Sequence, residues 1–406
     1  MQKYFLWAGL WLAATSLTTI FTAECGFAAE TIKIVSSLPR TGSAKDQTDS
    51  IVNGIKLALA EANYQAGGFT LKYEDLDDAT AAAGQWTAER EGANAKSAAA
   101  DQDVMVYIGP YNSNAAKISM PILNRAPLLM ISPANTAIGL TKKNEFDRQE
   151  PGIYRPTGKI NYTRVVATDD LQGPLGALWA KSLGVKKVYV LDDKEMYGKG
   201  IATLFADKCD ELDIEVLGHD SITVTNVEFK ALMNKIKKAN PDLVYFGGTT
   251  QSQGGQIAKD MVAVGLKCKL MVPDGCCEQA FIDAAGADNL HNRCYVTFPG
   301  LPEDQLTEVG QQFYKKYEET YNIKPQPYAI YGYEAGRVAV AAINKAKQKD
   351  RQAIIDAALS LRDFQGALGK WSFDANGDTT LRRMTGFVVQ DGKFAAPRVL
   401  DEMNEE

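Results

Sequence analysis

Two turns rich in small hydroxylated residues follow two neighbouring apolar runs, and their composition is typical of an anion site. The first turn extends from Gly109 to Ser113 and the second from Ser132 to Thr136. Each preceding run has the length and the Val/Ile/Leu content of a buried parallel strand, and each turn is followed by a predicted helix start. Free backbone N–H groups at a helix start, with a hydroxyl beside them, favour a carboxylate. Taken singly, each turn is better explained as an ordinary connection in which Ser or Thr caps the helix, and it is the pair that favours an anion site.

Other apolar runs also end in residues that could contact a ligand, because ligands of open α/β sheets bind beyond the carboxyl ends of the strands. Asp274 directly follows the run LMVP. We expect it to hold a cation, although a solvated or helix-capping aspartate is the commoner role for such a residue. Tyr197 lies in DKEMYGKG and could cover a ligand as an aromatic lid or pack at a helix start. Hydroxylated turns facing one acid predict a small zwitterionic ligand.

The sequence offers little for catalysis or for nucleotide binding. The two histidines, His219 and His291, fall outside the predicted turns, so no nucleophile has the neighbouring base that most hydrolases need. No Gly-x-Gly-x-x-Gly opens a helix after the first predicted strand, and no Gly-x-x-x-x-Gly-Lys-Ser/Thr occurs. We therefore expect a binding protein that is not an enzyme and that uses no cofactor.

Alternating strand-like and helix-like segments predict an α/β fold with two units, each built on a parallel central sheet. The first unit starts with IKIVSS, and the second starts with VKKVYVLDD and repeats the alternation. The later helices, including one from about Tyr331 to Ala346, look like additions to the first unit. The predicted domains are a first lobe at 31–165 and about 300–372 and a second lobe at 166–299 and about 373–406. Several chain crossings between them predict a multi-strand hinge.

Two further segments carry local predictions. The Ala-rich segment from Ala81 to Ala100 predicts a surface helix. Near the end of the chain, GKWSFDANGDTT predicts a strand-turn-strand unit and TGFVVQDGKF predicts a hairpin.

The N-terminus has the layout of a secretory signal peptide, with Lys3, a long apolar run and small residues before the mature chain. We place the cleavage after Ala28, so that residues 1–28 would be removed. Lipidation at Cys25 and a retained N-terminal anchor are the alternatives. The net charge is −6 and no basic run occurs, which gives no electrostatic surface for nucleic acid.

Five cysteines follow the predicted cleavage site, so at least one stays unpaired within a single chain. Cys209 shares a helical face with apolar residues and is predicted to lie in the core. The other four could supply one disulfide in an oxidising compartment, and the sequence does not choose the pair: Cys268, Cys276, Cys277 and Cys294. A metal site using these cysteines is disfavoured because no Cys-x-x-Cys element is present.

Seven segments carry a family resemblance: SLPRTG, VYIGPYNSNAAK, LLMISPANT, VYVLDDKEMYGKG, FKALMNKIKKANPDLVYFGG, LMVPDG and SFDANGD. In this order they resemble the periplasmic leucine/isoleucine/valine-binding proteins of ABC importers. The resemblance extends from about Thr31 to the final hairpin. It implies the type I periplasmic-binding fold, also called the Venus flytrap, in which two Rossmann-like lobes enclose a ligand cleft.

The same resemblance implies roles for residues at matching positions. Ser113, the main-chain N–H of Ala134 and Thr136 would hold the α-carboxylate of an amino acid. Asp274 would hold the α-ammonium, and Tyr197 would shut the cleft from the second lobe. No metal is implied.

The predicted side-chain pocket departs from the leucine-binding pattern. Gln47 and Thr249 stand where that pattern has tyrosines, and Tyr111 and Asn112 replace a Leu-Cys pair whose cysteine belonged to a disulfide. Tyr328 stands near the position of an apolar wall residue. The predicted pocket is therefore more polar, and the ligand need not be leucine, isoleucine or valine.

The resemblance implies a monomeric periplasmic solute-binding subunit that delivers an amino acid to an ABC permease in the cytoplasmic membrane. A receptor for short amides or urea is an alternative, given Gln47, Asn112 and Thr249. A ligand-binding sensor subunit would use the same residues. An extracellular enzyme on the same fold is disfavoured by the lack of a nucleophile–base pair.

Overall fold

The computed structural model describes Met1 and residues 29–145 and 147–400. The predicted signal peptide, apart from Met1, and the lipidation alternative at Cys25 lie outside the described residues. So do the last six residues of the chain.

Strands and helices alternate along most of the described chain. The strands are β1 (Thr31–Leu38), β2 (Gln65–Ala66), β3 (Phe69–Asp77), β4 (Ala79–Thr80), β5 (Gln85–Trp86), β6 (Val104–Ile108), β7 (Leu129–Ser132), β8 (Tyr162–Arg164), β9 (Lys187–Asp192), β10 (Glu215–Ser221), β11 (Leu243–Gly247), β12 (Lys269–Val272), β13 (Cys294–Pro299), β14 (Phe364–Gln365), β15 (Lys370–Trp371), β16 (Met384–Gln390) and β17 (Lys393–Val399). The helices are α1 (Lys45–Glu61), α2 (Ala88–Ala100), α3 (Ser113–Arg125), α4 (Asp169–Ser182), α5 (Met196–Glu211), α6 (Lys230–Ala239), α7 (Gly254–Ala263), α8 (Gln279–Ala285), α9 (Ala287–Leu290), α10 (Glu308–Tyr321), α11 (Ala329–Ala346) and α12 (Arg351–Leu359).

The first lobe is built on a sheet with the strand order β2-β3-β1-β6-β7-β8. All neighbouring strands in it are parallel except β2, which pairs antiparallel with β3. Helices α1 and α11 pack against each other so closely that a Cβ on Gly54 would lie 2.2 Å from the carbonyl oxygen of Ala329. The apolar face of α1, which includes Ile51, Ile55 and Leu59, is fully buried, as its helical spacing predicts.

The second lobe is built on a sheet with the order β10-β9-β11-β12-β13-β16-β17. Its first five strands are parallel, and the C-terminal hairpin adds β16 and β17 in antiparallel orientation. Helices α4 and α5 pack together beside this sheet, where Phe205 of α5 stacks on Tyr245 of β11 with ring centroids 3.9 Å apart. The predicted α/β fold with two parallel-rich lobes is confirmed.

The chain passes between the lobes three times: after β8, after β13 and before β16. At the last passage the segment around Asp378 forms an isolated bridge with Arg164 of β8. Parallel strands of both sheets therefore end at the space between the lobes, which is where ligands bind in such sheets.

Three local predictions are wrong in part. The helix predicted from Ala81 begins only at Ala88, because 79–86 form the short β4–β5 ribbon and Thr87 caps α2 by accepting a hydrogen bond from Arg90 N. The second hydroxylated turn is followed by a 3₁₀ turn at Ile138–Leu140 and not by an α-helix. The strand-turn-strand unit of the tail is reduced to β15 and a single bridge between Phe373 and Thr379.

The described cysteines and helices also bear on the predictions made from the sequence. The five described cysteines all carry free thiols, and Cys209 is fully buried, as predicted for a core residue. Among the described helices, none combines the length and the apolar character needed to cross a lipid bilayer.

Candidate functional site

The two hydroxylated turns lie side by side at the carboxyl ends of β6 and β7. The amide of Asn135 donates to the carbonyl of Tyr111 at 2.7 Å, and the backbone N–H of Ala137 donates to the hydroxyl of Ser113 at 3.4 Å. Ser132 closes the second turn by accepting from the backbone N–H of Asn135 at 2.9 Å. These side-chain contacts replace the helix cap expected there and hold both turns in one rigid surface.

A buried arginine supports the second turn from behind. The Arg164 guanidinium donates to the carbonyls of Asn135 at 3.0 Å and Ala137 at 2.8 Å, and to the Asp378 carboxylate at 2.7 Å. Its side chain is fully shielded from solvent. Arg164 and its distant partner Asp378 thus stabilise the backbone of the second hydroxylated turn.

The second lobe contributes an acid that is held by two tyrosines. Asp274, which follows β12, accepts hydrogen bonds from the hydroxyls of Tyr197 at 2.7 Å and of Tyr328. Tyr197 belongs to the second lobe, whereas Tyr328 precedes α11 of the first lobe. The ring of Tyr197 passes so close to the backbone that a Cβ on Gly275 would lie 3.0 Å from its Cε1 atom, which explains the glycine at this position.

Several side chains join the lobes directly, so the two halves lie in contact around the site. The amide of Asn112 donates to Gln251 Oε1 at 2.8 Å. The side chain of Asn114 accepts from the backbone N–H of Met196 at 2.8 Å and donates to the Glu195 carboxylate. These contacts hold the two lobes together beside the site.

A single cavity between the lobes contains nearly all of the predicted site residues. Those that line it are Ser113, Ala134, Thr136, Tyr197, Asp274, Tyr111, Asn112 and Thr249, together with Tyr328. Their roles toward a ligand stay predictions. Gln47 is not brought to the cavity wall, because its buried side chain donates to the carbonyl of Cys277 at 3.1 Å and accepts from Tyr328 N at 3.1 Å. It therefore bridges the lobes and positions Tyr328.

Burial dominates the electrostatics of the site. It raises the pKa of Asp274, while the hydroxyls of Tyr328 and Tyr197 lower it. Burial also raises the pKa of Asp169 well above its usual range, and the negative charge of nearby Asp274 adds to this effect. The Thr136 hydroxyl offsets part of the increase at Asp169. A positive group placed beside these carboxyls would relieve the cost of ionising them.

Sequence reasoning missed several residues of the cavity wall: Gln85, Trp86, Asn114, Val224 and Ser252. Trp86 belongs to the β4–β5 ribbon, in a segment for which the Ala-rich composition predicted helix. The one feature of the sequence that could have indicated a ligand contact here is a tryptophan in a short polar connection. Asn114 follows Ser113 directly, and its contact with the second lobe depends on how the lobes meet.

Comparison with known proteins gives a consistent result. The family model described as periplasmic binding protein matches residues 31–393. A relative from Rhizobium johnstonii named Leu/Ile/Val-binding protein BraC3 is 26% identical over 393 residues, which cover 95% of this chain and 98% of the relative.

Solved structures share the fold. The leucine-binding protein LivK of Thermotoga maritima superposes with a TM-score of 0.78 at 24% identity, covering 90% of this chain and 98% of LivK. A solute-binding protein from R. palustris in complex with benzoate has a TM-score of 0.75 at 20% identity, covering 93% and 99% of the two chains. The predicted family resemblance is confirmed: this chain belongs to the periplasmic binding protein family of solute-binding proteins.

Proposed function

We propose that this chain is the extracytoplasmic solute-binding subunit of an ABC importer, which captures an amino acid between its lobes and delivers it to a permease in the cytoplasmic membrane. One observation carries the proposal. The hydroxylated turns of the first lobe and the Asp274 carboxyl of the second lobe line the same cavity. Such an arrangement offers donors at one end and an acceptor at the other, as a zwitterion requires. The name of the BraC3 relative supports an amino acid ligand.

The roles follow from the chemistry of each group. Ser113, the N–H of Ala134 and Thr136 receive the ligand carboxylate, and Asp274 receives the ammonium. The Tyr197 hydroxyl holds one oxygen of Asp274 and also accepts from Gly275 N at 3.1 Å, so this ring orients the acid. Charge-assisted hydrogen bonds of this kind contribute about 1.5 to 3 kcal/mol each.

Capture and release follow from the three passages between the lobes. An open form would admit the ligand to the turns of the first lobe. Closure would then bring Asp274 and Tyr197 over it and form the contacts between Asn114 and α5. The closed form is the one that we expect to dock on the permease.

Isothermal titration calorimetry with a panel of amino acids tests the proposal. We expect Asp274→Ala and Thr136→Ala each to weaken binding of the best amino acid at least about 30-fold, which corresponds to about 2 kcal/mol for one lost charge-assisted contact. The melting temperature of the ligand-free Thr136→Ala protein should change little, whereas Asp274→Ala should also lower it, because the hydroxyls of Tyr197 and Tyr328 lose their acceptor. Asp283→Ala, on the exposed face of α8, is the matched control. Parental affinity in both site variants would refute the assignment.

A receptor for short amides or urea is the second candidate. The observation in its favour is that Asn112 and Thr249 line the cavity and can serve as neutral hydrogen-bonding partners. An uncharged ligand does not need an ionised Asp274, so its affinity would fall much less in Asp274→Asn than that of an amino acid. Thermal-shift measurements with acetamide, urea and amino acids separate the two candidates.

A further inference from the structure

The cavity wall has two buried oxygens that the proposed amino acid clamp does not use. Tyr111 and Asn112 both line the cavity, and they directly precede Ser113 in the first turn. The Tyr111 hydroxyl and Asn112 Oδ1 are buried and form no hydrogen bond with any residue that the structure describes. A buried polar atom without a partner costs about 1 to 3 kcal/mol, so a ligand group that pairs with these atoms would bind with a clear advantage.

Both groups can accept a hydrogen bond from a ligand in the cavity. The Asn112 amide nitrogen is already used by Gln251 at 2.8 Å, which leaves the amide oxygen for a donor. Burial raises the pKa of the Tyr111 hydroxyl well above its usual range, and the charges of Glu278 and Asp274 add to this effect. The hydroxyl therefore stays protonated, and its lone pairs can accept a hydrogen bond from a ligand.

Glu278 is a second buried acid, and its charge acts on the Tyr111 hydroxyl. It is 2% exposed and lies four residues after Asp274 on the same connection between β12 and α8. Burial raises the pKa of Glu278 to about 8, Thr250 lowers it, and the charge of Asp46 across the interface raises it further. Positive charge nearby would therefore favour its ionised form.

The charge of the side chains that line the cavity also favours a ligand with an additional donor. Asp193, Glu195 and Asp274 line it, whereas neither lysine nor arginine is found among its described lining residues. A zwitterionic backbone needs one of these acids. The remaining acids favour a ligand with an additional donor.

We propose, on the basis of the function proposed above, that the ligand is an amino acid whose side chain ends in an N–H donor, held by the oxygens of Tyr111 and Asn112. The donor can be an amide or an ammonium group. Tyr111 is thus a specificity-determining residue, and the carboxyl of Glu278, when ionised, adds negative charge near its hydroxyl.

Three probes of similar length test this inference by calorimetry: L-glutamine, L-ornithine and L-norvaline, which lacks a terminal donor. We expect at least one of the first two to bind at least tenfold more tightly than norvaline. Tyr111→Phe should reduce that preference at least fivefold. The control Tyr295→Phe removes a hydroxyl outside the cavity and should leave the preference as it is.

The variant Glu278→Gln distinguishes the two kinds of donor. If the natural group is an ammonium, the variant should reduce the preference for ornithine more than that for glutamine; if it is an amide, the two preferences should fall to similar extents. The side chain of Glu278 does not cap α8, so this isosteric change keeps the helix start.

The outcomes separate the two proposals. Norvaline binding that equals or exceeds the binding of both donors would overturn this inference and leave the amino acid function intact. An unchanged preference in Tyr111→Phe would overturn it as well. Failure of all three probes and of the wider amino acid panel would overturn the proposed function itself.

Discussion

Two residues far apart in the sequence, Arg164 and Asp378, support the second hydroxylated turn. Arg164 and Asp378 form a buried ion pair with N–O contact at 2.7 Å, and Thr141 donates to the second oxygen of Asp378 at 2.9 Å. The terminal nitrogens of Arg164 donate to the carbonyls of Asn135 and Ala137 and to the Thr141 hydroxyl. Removing one residue of such a pair leaves the other charge buried without compensation. The loss of folding free energy is then larger than the net contribution of the intact pair.

We expect Asp378→Ala to lower the free energy of unfolding by about 3 to 5 kcal/mol, since Arg164 would remain buried without its counter-charge. Urea denaturation of the ligand-free protein measures this change. Asp363→Ala, which removes an exposed pair with Lys370, should cost less than about 1 kcal/mol. Equal losses in the two variants would contradict the structural role of Arg164.

The first turns of α3 and α5 contact each other across the space between the lobes. Asn114 lies in the first turn of α3, and it pairs with Glu195 and Met196 at the start of α5. Both helices follow parallel strands, so their N-termini point into the space between the sheets. The contact can form only when the lobes approach each other, which makes it a determinant of closure.

Asn114→Ala should therefore weaken amino acid binding roughly five- to a hundredfold, because two hydrogen bonds of about 0.5 to 1.5 kcal/mol each are lost from the closed form alone. Calorimetry gives the affinity. Small-angle scattering should show a more open ligand-free protein.

The variant Asn289→Ala is the control for this experiment. Its amide donates to the carbonyl of Ala285 within the second lobe, so neither affinity nor lobe opening should change. An Asn114→Ala protein with parental affinity and parental scattering would contradict the role in closure.

Two buried acids, Glu91 in the first lobe and Asp193 in the cavity wall, affect the molecule as a whole. Glu91 of α2 is fully buried and accepts from the hydroxyls of Ser37 at 2.6 Å and Tyr107 at 3.0 Å. Burial raises its pKa from 4.5 to about 7, against the lowering effect of nearby hydroxyls. Burial likewise raises the pKa of Asp193 to about 7.

The pH dependence of stability follows from these values. Between about pH 4.5 and 7 the folded protein keeps the proton of Glu91, whereas the unfolded chain loses it, so stability falls as the pH rises through this window. At about 1.4 kcal/mol for each pH unit, the full effect is of the order of 3 kcal/mol. We expect the melting temperature of the ligand-free protein to decrease from pH 5 to pH 7.

Glu91→Gln should flatten that decrease, because it removes the titrating group while keeping a similar shape. Glu89→Gln, at an exposed position of the same helix, should keep the parental slope. A Glu91→Gln protein that keeps the parental slope would contradict this assignment.

Much of the architecture could be predicted from the sequence because it depends on local pattern. Buried parallel strands leave continuous apolar runs, and β6, β7 and β11 were predicted for that reason. Ser113 and Thr136 were identified because they follow such strands directly. The predictions were wrong where tertiary contacts outweigh composition, as in the β4–β5 ribbon, which replaces part of a predicted helix.

The sequence by itself determined the alternation of strands and helices, the chain-order positions of the two turns, and the acid that follows β12. Only the tertiary structure decided which side chains meet. Gln47 contacts Cys277 across 230 positions, and Arg164 contacts Asp378 across 214. The reason is physical: periodicity reports which face of an element is buried, whereas a contact between distant segments depends on how the lobes pack and close. The orientation of Tyr111 and Asn112, and with it the proposed ligand class, belongs to this second kind of information.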